Sequence, residues 1–147
     1  MDPFSFLFSI YNFSGPKCLG ILRKISENIG ISAPSDIDGV PDTDHRVLWD
    51  SIYEAENNDP KIVTLWSCFE KAADHKLTDE DFKAVLKIDG IASPKLSQGL
   101  FLIDPEFYLN LDSKTRRYLK GTYNLTLNYS GYTEYIELVS RIKQKQA

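Results

Sequence analysis

The residues best suited to chemistry lie between two predicted helices, in the run Leu-Lys-Ile-Asp-Gly-Ile-Ala-Ser-Pro-Lys-Leu at 86–96. Gly90 allows the positive φ that a tight turn needs, and Ile88 and Ile91 are apolar anchors on either side of it. A turn of this kind presents backbone N–H groups and the start of the next helix to an anion, and Lys95 adds a cation. The run therefore predicts two short helices joined by a tight turn, with a cation at the start of the second helix.

This run resembles the helix-hairpin-helix motif, in which an apolar-Gly-apolar-Gly turn holds a DNA phosphate. Ala92 stands where the motif has its second glycine, and the Cβ atom of Ala92 obstructs the close approach of a phosphate to the backbone. Any hairpin of two helices needs a glycine such as Gly90, so a purely structural turn stays open as an alternative. The residues predicted to contact DNA, in the turn and in the basic stretch after it, are Lys87, Gly90, Ala92, Ser93, Lys95, Lys114, Arg116, Arg117 and Lys120.

Charge is unevenly distributed along a chain whose net charge is −4. Residues 35–59 hold eight acidic side chains and one basic one, Arg46, whereas residues 83–120 hold seven basic and four acidic ones. The first stretch would repel phosphate and suits a basic protein partner, and the second suits a nucleic-acid backbone. Solvated helix faces would give the same distribution, so that alternative also remains.

A catalytic alternative rests on Lys95 and Asp112, whose spacing resembles that of helix-hairpin-helix DNA glycosylases. In that family a lysine after the hairpin attacks the sugar, and a downstream aspartate stabilises positive charge or activates water. Asp112 also stands where a helix N-cap belongs. Its two roles, cap and catalyst, are open at this point.

Other catalytic and cofactor patterns are not recognisable. The chain has no Gly-x-x-x-x-Gly-Lys-Ser/Thr loop for nucleotide phosphates. His45 and His75 have no metal-ligand spacing with Cys18 or Cys68, so neither a metal nor another cofactor is predicted. Aromatic side chains near the basic half are candidates to stack on an unpaired base. They are Tyr108, Tyr118, Tyr123 and Tyr129, whereas Trp49 is a remoter candidate and Trp66 and Phe69 are predicted to be core.

Longer phrases of the chain resemble the region that precedes the motor in McrB-type restriction GTPases. They are Met-Asp-Pro-Phe-Ser-Phe at 1–6, Asp-Gly-Val-Pro at 38–41, Lys-Leu-Ser-Gln-Gly-Leu-Phe-Leu-Ile-Asp-Pro-Glu-Phe at 95–107, and Leu-Asn-Leu-Asp-Ser at 109–113. In that family an N-terminal module recognises double-stranded DNA, often with modified cytosine, and a following AAA+ GTPase recruits a nuclease subunit in defence against phage. The resemblance implies a targeting module without catalytic activity of its own.

Capping residues and apolar spacing divide the chain into helices. Ser, Thr or Asp can cap the free N–H groups of a helix start, and Pro fits the first turn. The predicted helices cover 14–30, 43–56, 59–75, 78–86, 93–102, 112–120 and 132–143. Only 123–129, where Tyr and Leu alternate with polar residues, has a strand pattern, and it has no obvious partner strand.

These signals predict a mainly α protein: one helical domain over 1–147 with a helix-hairpin-helix-like, glycosylase-like character. Residues 1–42 would form an N-terminal helix and loop, and 43–147 a helical core that contains the hairpin at 86–96. One core is predicted to hold Trp66, Phe69, Leu86, Ile88 and Ile91. With no secretion signal, no apolar run of about 20 residues and two cysteines of buried type, the chain is expected in the cytoplasm and away from membranes.

Overall fold

The computed structural model describes residues 2–11, 13, 15–38 and 59–146. Within those ranges the chain is helical and contains no β-strand, which confirms the mainly α prediction. The helices are α1 (Pro3–Tyr11), α2 (Gly15–Ile29), α3 (Pro60–Ala73), α4 (Asp79–Leu86), α5 (Ser93–Ile103), α6 (Ser113–Tyr123) and α7 (Tyr132–Gln146). The predicted helix at 43–56, with His45, Trp49 and most of the acidic stretch, lies outside the described residues.

The starts of α3 and α4 are fixed by the caps that the sequence predicts. Asp59 accepts a hydrogen bond from the Lys61 backbone N–H ahead of α3, at 2.8 Å. Before α4, Thr78 and Asp81 form a reciprocal capping box, in which each side chain accepts from the other residue's backbone N–H. Each such cap satisfies N–H groups that have no partner within the helix, which is typically worth about 1 kcal/mol.

The core forms around α3, which packs against α1, α4 and α5. Its buried face holds Ile62, Leu65, Cys68 and Ala72, residues spaced three or four apart. Phe4 and Phe8 of α1 are fully buried in the same core. Burial and the nearby Asp81 carboxylate raise the pKa of the Cys68 thiol to about 12, so Cys68 acts here as an apolar core residue.

The predicted core is wrong at Trp66, which is exposed in the structure. Ile88 and Ile91 are buried, and Phe69 and Leu86 pack against them from partly exposed positions. Trp66, however, is 44% exposed and meets Phe69 edge to face at 5.9 Å. It follows Leu65 on α3, about 100° further round the helix, which turns it away from the buried face.

The segment 124–129 corrects the strand prediction, because it forms no ladder. Its leucines nevertheless bury themselves: Leu125 and Leu127 enter the core while Asn124, Thr126 and Asn128 stay exposed. Burial on every second residue is the period of extended chain. The alternating pattern therefore predicted which residues of this segment are buried, although the segment forms no strand.

Buried tyrosines join the last helix to the chain before α6. The Tyr135 hydroxyl accepts from the Leu109 N–H at 3.0 Å and donates to the Leu109 carbonyl at 2.8 Å. The Tyr108 hydroxyl donates to the Ala72 carbonyl of α3 at 2.9 Å. Burial raises the pKa of both phenols.

None of the helices in the described ranges has the length and apolar character that crossing a membrane requires.

Candidate nucleic-acid interface

Helix α6 carries the densest positive charge of the basic half. It begins after Asp112, whose Oδ1 accepts from the Thr115 N–H at 2.8 Å, so the predicted helix start is confirmed. It ends at Asn124, which caps it in the left-handed region with φ 50° and ψ 43°. That conformation reverses the chain direction, and residues 124–128 then run back beside α6.

Between α6 and residues 124–128 lies an open groove of about 520 Å³. Its walls carry three cations and several hydrogen-bonding side chains, and its base is apolar. The lining residues are Ser113, Arg116, Arg117, Lys120, Asn124, Leu125, Thr126, Leu127 and Asn128. We call this feature the α6 groove.

Arg116 holds the two walls of the α6 groove together. Its Nη2 donates to the Leu127 carbonyl at 2.7 Å, from a half-buried position. Leu119 on α6 and Leu125 and Leu127 on the opposite wall are all buried beneath it. This is the one hydrogen bond described for the Arg116 guanidinium, which has five donors in all. Arg117 and Lys120 are exposed and extend the same cationic face.

The electrostatics of the α6 groove are one-sided. Residues 113–133 contain four basic side chains and no acidic one. The lining itself carries Arg116, Arg117 and Lys120 against no carboxylate among the described residues. The exposed Asn and Thr side chains add neutral donors and acceptors. A lining of this charge can hold an anionic group.

Helices α4 and α5 are joined by a short connection at 87–92, the region in which the sequence analysis placed a hairpin. Gly90 has φ +82°, the left-handed value for which glycine was expected. The Ile91 N–H donates to the Ile88 carbonyl at 3.1 Å, which closes the turn over two buried isoleucines. Ala92 caps α5 without a side-chain hydrogen bond, so no protein side chain covers the first N–H groups of that helix from the cap position.

Tyr129 connects the hairpin to the α6 groove. Its hydroxyl donates to the Ser93 carbonyl at the start of α5, at 3.2 Å. Burial raises the pKa of Tyr129, and the hydrogen bond with Ser97 and the nearby Arg116 charge act in the opposite direction. Tyr129 thus contacts the start of α5 from the residue that directly follows the groove wall at 124–128. The two predicted DNA-contacting regions are joined through it.

A family profile described as Domain of unknown function (DUF8425) matches the chain over residues 1–147. The chain belongs to this family. No curated protein and no solved structure matches it. The description of DUF8425 assigns no activity.

The DUF8425 chain brings some of the predicted DNA-contacting residues together and separates others. Arg116, Arg117 and Lys120 line one groove, whereas Lys114 is exposed on α6 outside that lining. In the hairpin, Lys87 is exposed at the end of α4. Lys95 folds back on the turn, with its Nζ 3.4 Å from the Gly90 carbonyl.

Sequence reasoning missed the neutral half of the α6 groove: Ser113, Asn124, Thr126 and Asn128. For the last three of these residues the available signal was the alternating 123–129 pattern, which indicated only a strand.

The stacking candidates do not lie in the groove. Tyr108 is fully buried with its hydroxyl bonded to Ala72, so the prediction that it could stack on a base is wrong. Tyr129 is half-buried and holds Ser93. Tyr118 is 60% exposed, yet it is not among the groove residues. None of the described side chains that line the α6 groove is aromatic.

Proposed function

We propose that this chain is a DNA-binding module that holds the phosphate backbone of duplex DNA in the α6 groove. The observation that carries this proposal is the convergence of Arg116, Arg117 and Lys120 on one groove whose described lining has no carboxylate. Guanidinium and ammonium groups form charge-assisted hydrogen bonds with phosphate oxygens. Counterions released from the DNA supply much of the binding free energy.

The hairpin supplies a second contact. Its Gly90 turn lies directly before the start of α5, where Ala92 provides no side-chain cap, and Lys87 adds an exposed cation at the end of α4. Tyr129 fixes the start of α5 relative to the groove wall. Two phosphate contacts held at a fixed separation fit a regular backbone better than a small free anion. This favours a polymer as the ligand.

The function is binding without catalysis. In the glycosylase alternative Asp112 would act on the substrate, but both of its carboxylate oxygens serve local structure. Oδ1 caps α6 through Thr115, and Oδ2 accepts from the Asn110 amide at 3.3 Å. The resemblance to McrB-type systems adds the partners to this proposal: a separate AAA+ GTPase and a nuclease that the module directs to DNA.

The test is binding of the full chain to a labelled duplex of mixed sequence, measured by fluorescence anisotropy. Arg117→Gln with Lys120→Gln removes two groove cations that are exposed and hold no described part of the fold. We expect this variant to bind much more weakly. The matched control is Arg141→Gln with Lys145→Gln, an identical charge change at exposed positions of α7. Equal losses in both variants would show that only net charge matters.

A duplex with methylated cytosine tests the modified-base expectation from the resemblance. The groove offers no aromatic platform among its described lining residues for an extruded base. Backbone contacts alone therefore predict equal affinity for both duplexes at equal salt. Tighter binding of the modified duplex would assign base reading to residues outside the groove.

A further inference from the structure

Three neutral side chains line the α6 groove opposite its cations: Asn124, Thr126 and Asn128, which we call the neutral wall. All three are exposed, and none of their side chains forms a hydrogen bond among the described contacts. A polar side chain just beyond the wall is engaged in the fold, because the Ser130 hydroxyl donates to Glu134 at 3.0 Å. The neutral wall therefore keeps its donors and acceptors for a ligand.

Asn124 keeps a side chain at a position where glycine is the usual residue. Its φ of 50° lies in the left-handed region, and Gly30 and Gly90 occupy two of the other left-handed positions of the described chain. Glycine adopts this conformation without the steric cost that a side chain brings. What Asn124 adds to the turn is an amide on the groove lining.

The chemistry of the neutral wall fits a sugar that carries a hydroxyl. Asn and Thr side chains both donate and accept hydrogen bonds. A DNA backbone has acceptors only, because neither its phosphate diesters nor deoxyribose carries an O–H or N–H group. Each ribose of RNA adds a 2′-hydroxyl, which donates as well as accepts. The sugar is also the group next to the phosphate along a strand, so it lies beside whatever phosphate the cations hold.

We propose that the α6 groove also binds a strand of RNA, whose ribose 2′-hydroxyls contact the neutral wall while Arg117 and Lys120 hold the adjoining phosphates. This inference rests on the proposed function, since it requires the phosphate contacts. The 2′-hydroxyls donate to the amide oxygens of Asn124 and Asn128. A DNA strand offers these oxygens no donor, so an RNA strand binds more tightly at equal phosphate charge.

The test compares three labelled duplexes of one sequence by fluorescence anisotropy with the full chain at one salt concentration. They are duplex DNA, an RNA–DNA hybrid, and the same hybrid with 2′-fluoro groups in place of the 2′-hydroxyls of its RNA strand. Fluorine keeps the ribose-like sugar pucker but cannot donate a hydrogen bond. The two hybrids therefore separate contact with the 2′-hydroxyl from recognition of helix shape.

We expect the RNA–DNA hybrid to bind at least about fivefold more tightly than its fluorinated form, the effect of one net hydrogen bond. Asn124→Gly with Asn128→Ala removes both amides and keeps a residue suited to the left-handed turn. This variant should reduce the difference to less than about twofold and leave DNA affinity unchanged. The matched control is Asn28→Ala with Gln144→Ala, which removes two exposed amides outside the groove lining and should keep the full difference. Circular dichroism checks that the variants keep the helical fold.

Two results would overturn the proposal: equal affinity for the two hybrids, and an amide variant that keeps the full difference between them. The Arg117→Gln, Lys120→Gln variant separates this inference from the proposed function. It should weaken binding of all three duplexes and keep the ratio between the two hybrids. A wild-type chain that binds DNA and both hybrids alike refutes the inference alone, whereas one that binds no duplex refutes the proposed function as well.

Discussion

The salt dependence of DNA binding measures how many groove cations touch phosphates. Each phosphate neutralised on B-DNA contributes about −0.9 to the slope of log affinity against log salt. Arg116, Arg117 and Lys120 all line the groove. If each meets one phosphate, together they account for a slope of about −2.7.

Replacing Arg117 and Lys120 with Gln should make the slope shallower by about 1.8, because Arg116 then remains alone. Salt that rises from about 50 to about 200 mM changes log salt by about 0.6, so the wild type should lose roughly tenfold more affinity than the variant over that range. Arg116 is left in place because it also holds the Leu127 carbonyl, and its removal would change the groove itself.

Anisotropy titrations at four salt concentrations give both slopes with one labelled duplex. The Arg141→Gln, Lys145→Gln control should keep the wild-type slope, since its charges lie on α7. A groove variant whose slope equals that of the wild type, with circular dichroism unchanged, would refute the reasoning. The groove cations would then be solvated surface.

Three further predictions concern the fold and the catalytic alternative. Tyr135→Phe removes the hydrogen-bond partner of both Leu109 backbone groups and should lower the free energy of unfolding by about 2–4 kcal/mol. Tyr132→Phe loses a single 3.4 Å contact with the Tyr108 hydroxyl and should lower it by less than about 1 kcal/mol. Urea titrations that find equal losses for the two variants would contradict the assigned bonds. The hydrogen bond from His75 lowers the pKa of the Asp104 carboxyl in the folded protein. The stability that this bond contributes is therefore present above the pKa of Asp104 in the unfolded chain, and it is lost as pH falls from there through the lower pKa of the folded state. Urea midpoints of Asp104→Asn should accordingly fall less than those of the wild type between neutral and acid pH, and parallel losses would show that the pair is not responsible. Asp112→Asn should keep fold and DNA binding, since Asn also caps helices, and borohydride should trap no Lys95-dependent DNA adduct from any damaged or methylated base; one such adduct would make the chain an enzyme.

Local chemistry explains which elements the sequence predicted. The caps at Asp59, Thr78 and Asp112 and the positive φ of Gly90 each depend on a few neighbouring residues. Patterns within one turn of chain suffice to identify them.

Trp66 shows where local patterns stop. Ile62, Val63, Leu65, Trp66 and Phe69 are all apolar and cover a wide arc of α3. The arc that becomes buried depends on the helices that pack there: Phe4 of α1 meets Phe69 edge to face at 6.3 Å. The spacing of apolar residues within α3 does not show which part of the arc is covered by other helices. The exposure of Trp66 could therefore not be predicted from the sequence.

The α6 groove was half predicted for the same reason. Its cations lie on one helix and were recognised from their clustering, whereas its neutral wall exists only because Asn124 turns the chain back beside α6. Asn at a helix end often adopts the left-handed conformation, but it does not have to. The bond from Arg116 to Leu127, which joins residues eleven positions apart, could not be read from spacing.

A net negative chain can present this cationic groove because the acids that flank it are already engaged. Asp112, just before α6, accepts from Thr115, and Glu134, the first acid after it, accepts from the Ser130 N–H at 2.6 Å. Each carboxylate is held at a helix start, where N–H groups stabilise negative charge. Among the described contacts, neither carboxylate forms an ion pair with Arg116, Arg117 or Lys120. Arg117 and Lys120 are therefore not paired with either carboxylate among the described contacts, and charges farther away than a screening length of about 8 Å act on them only weakly.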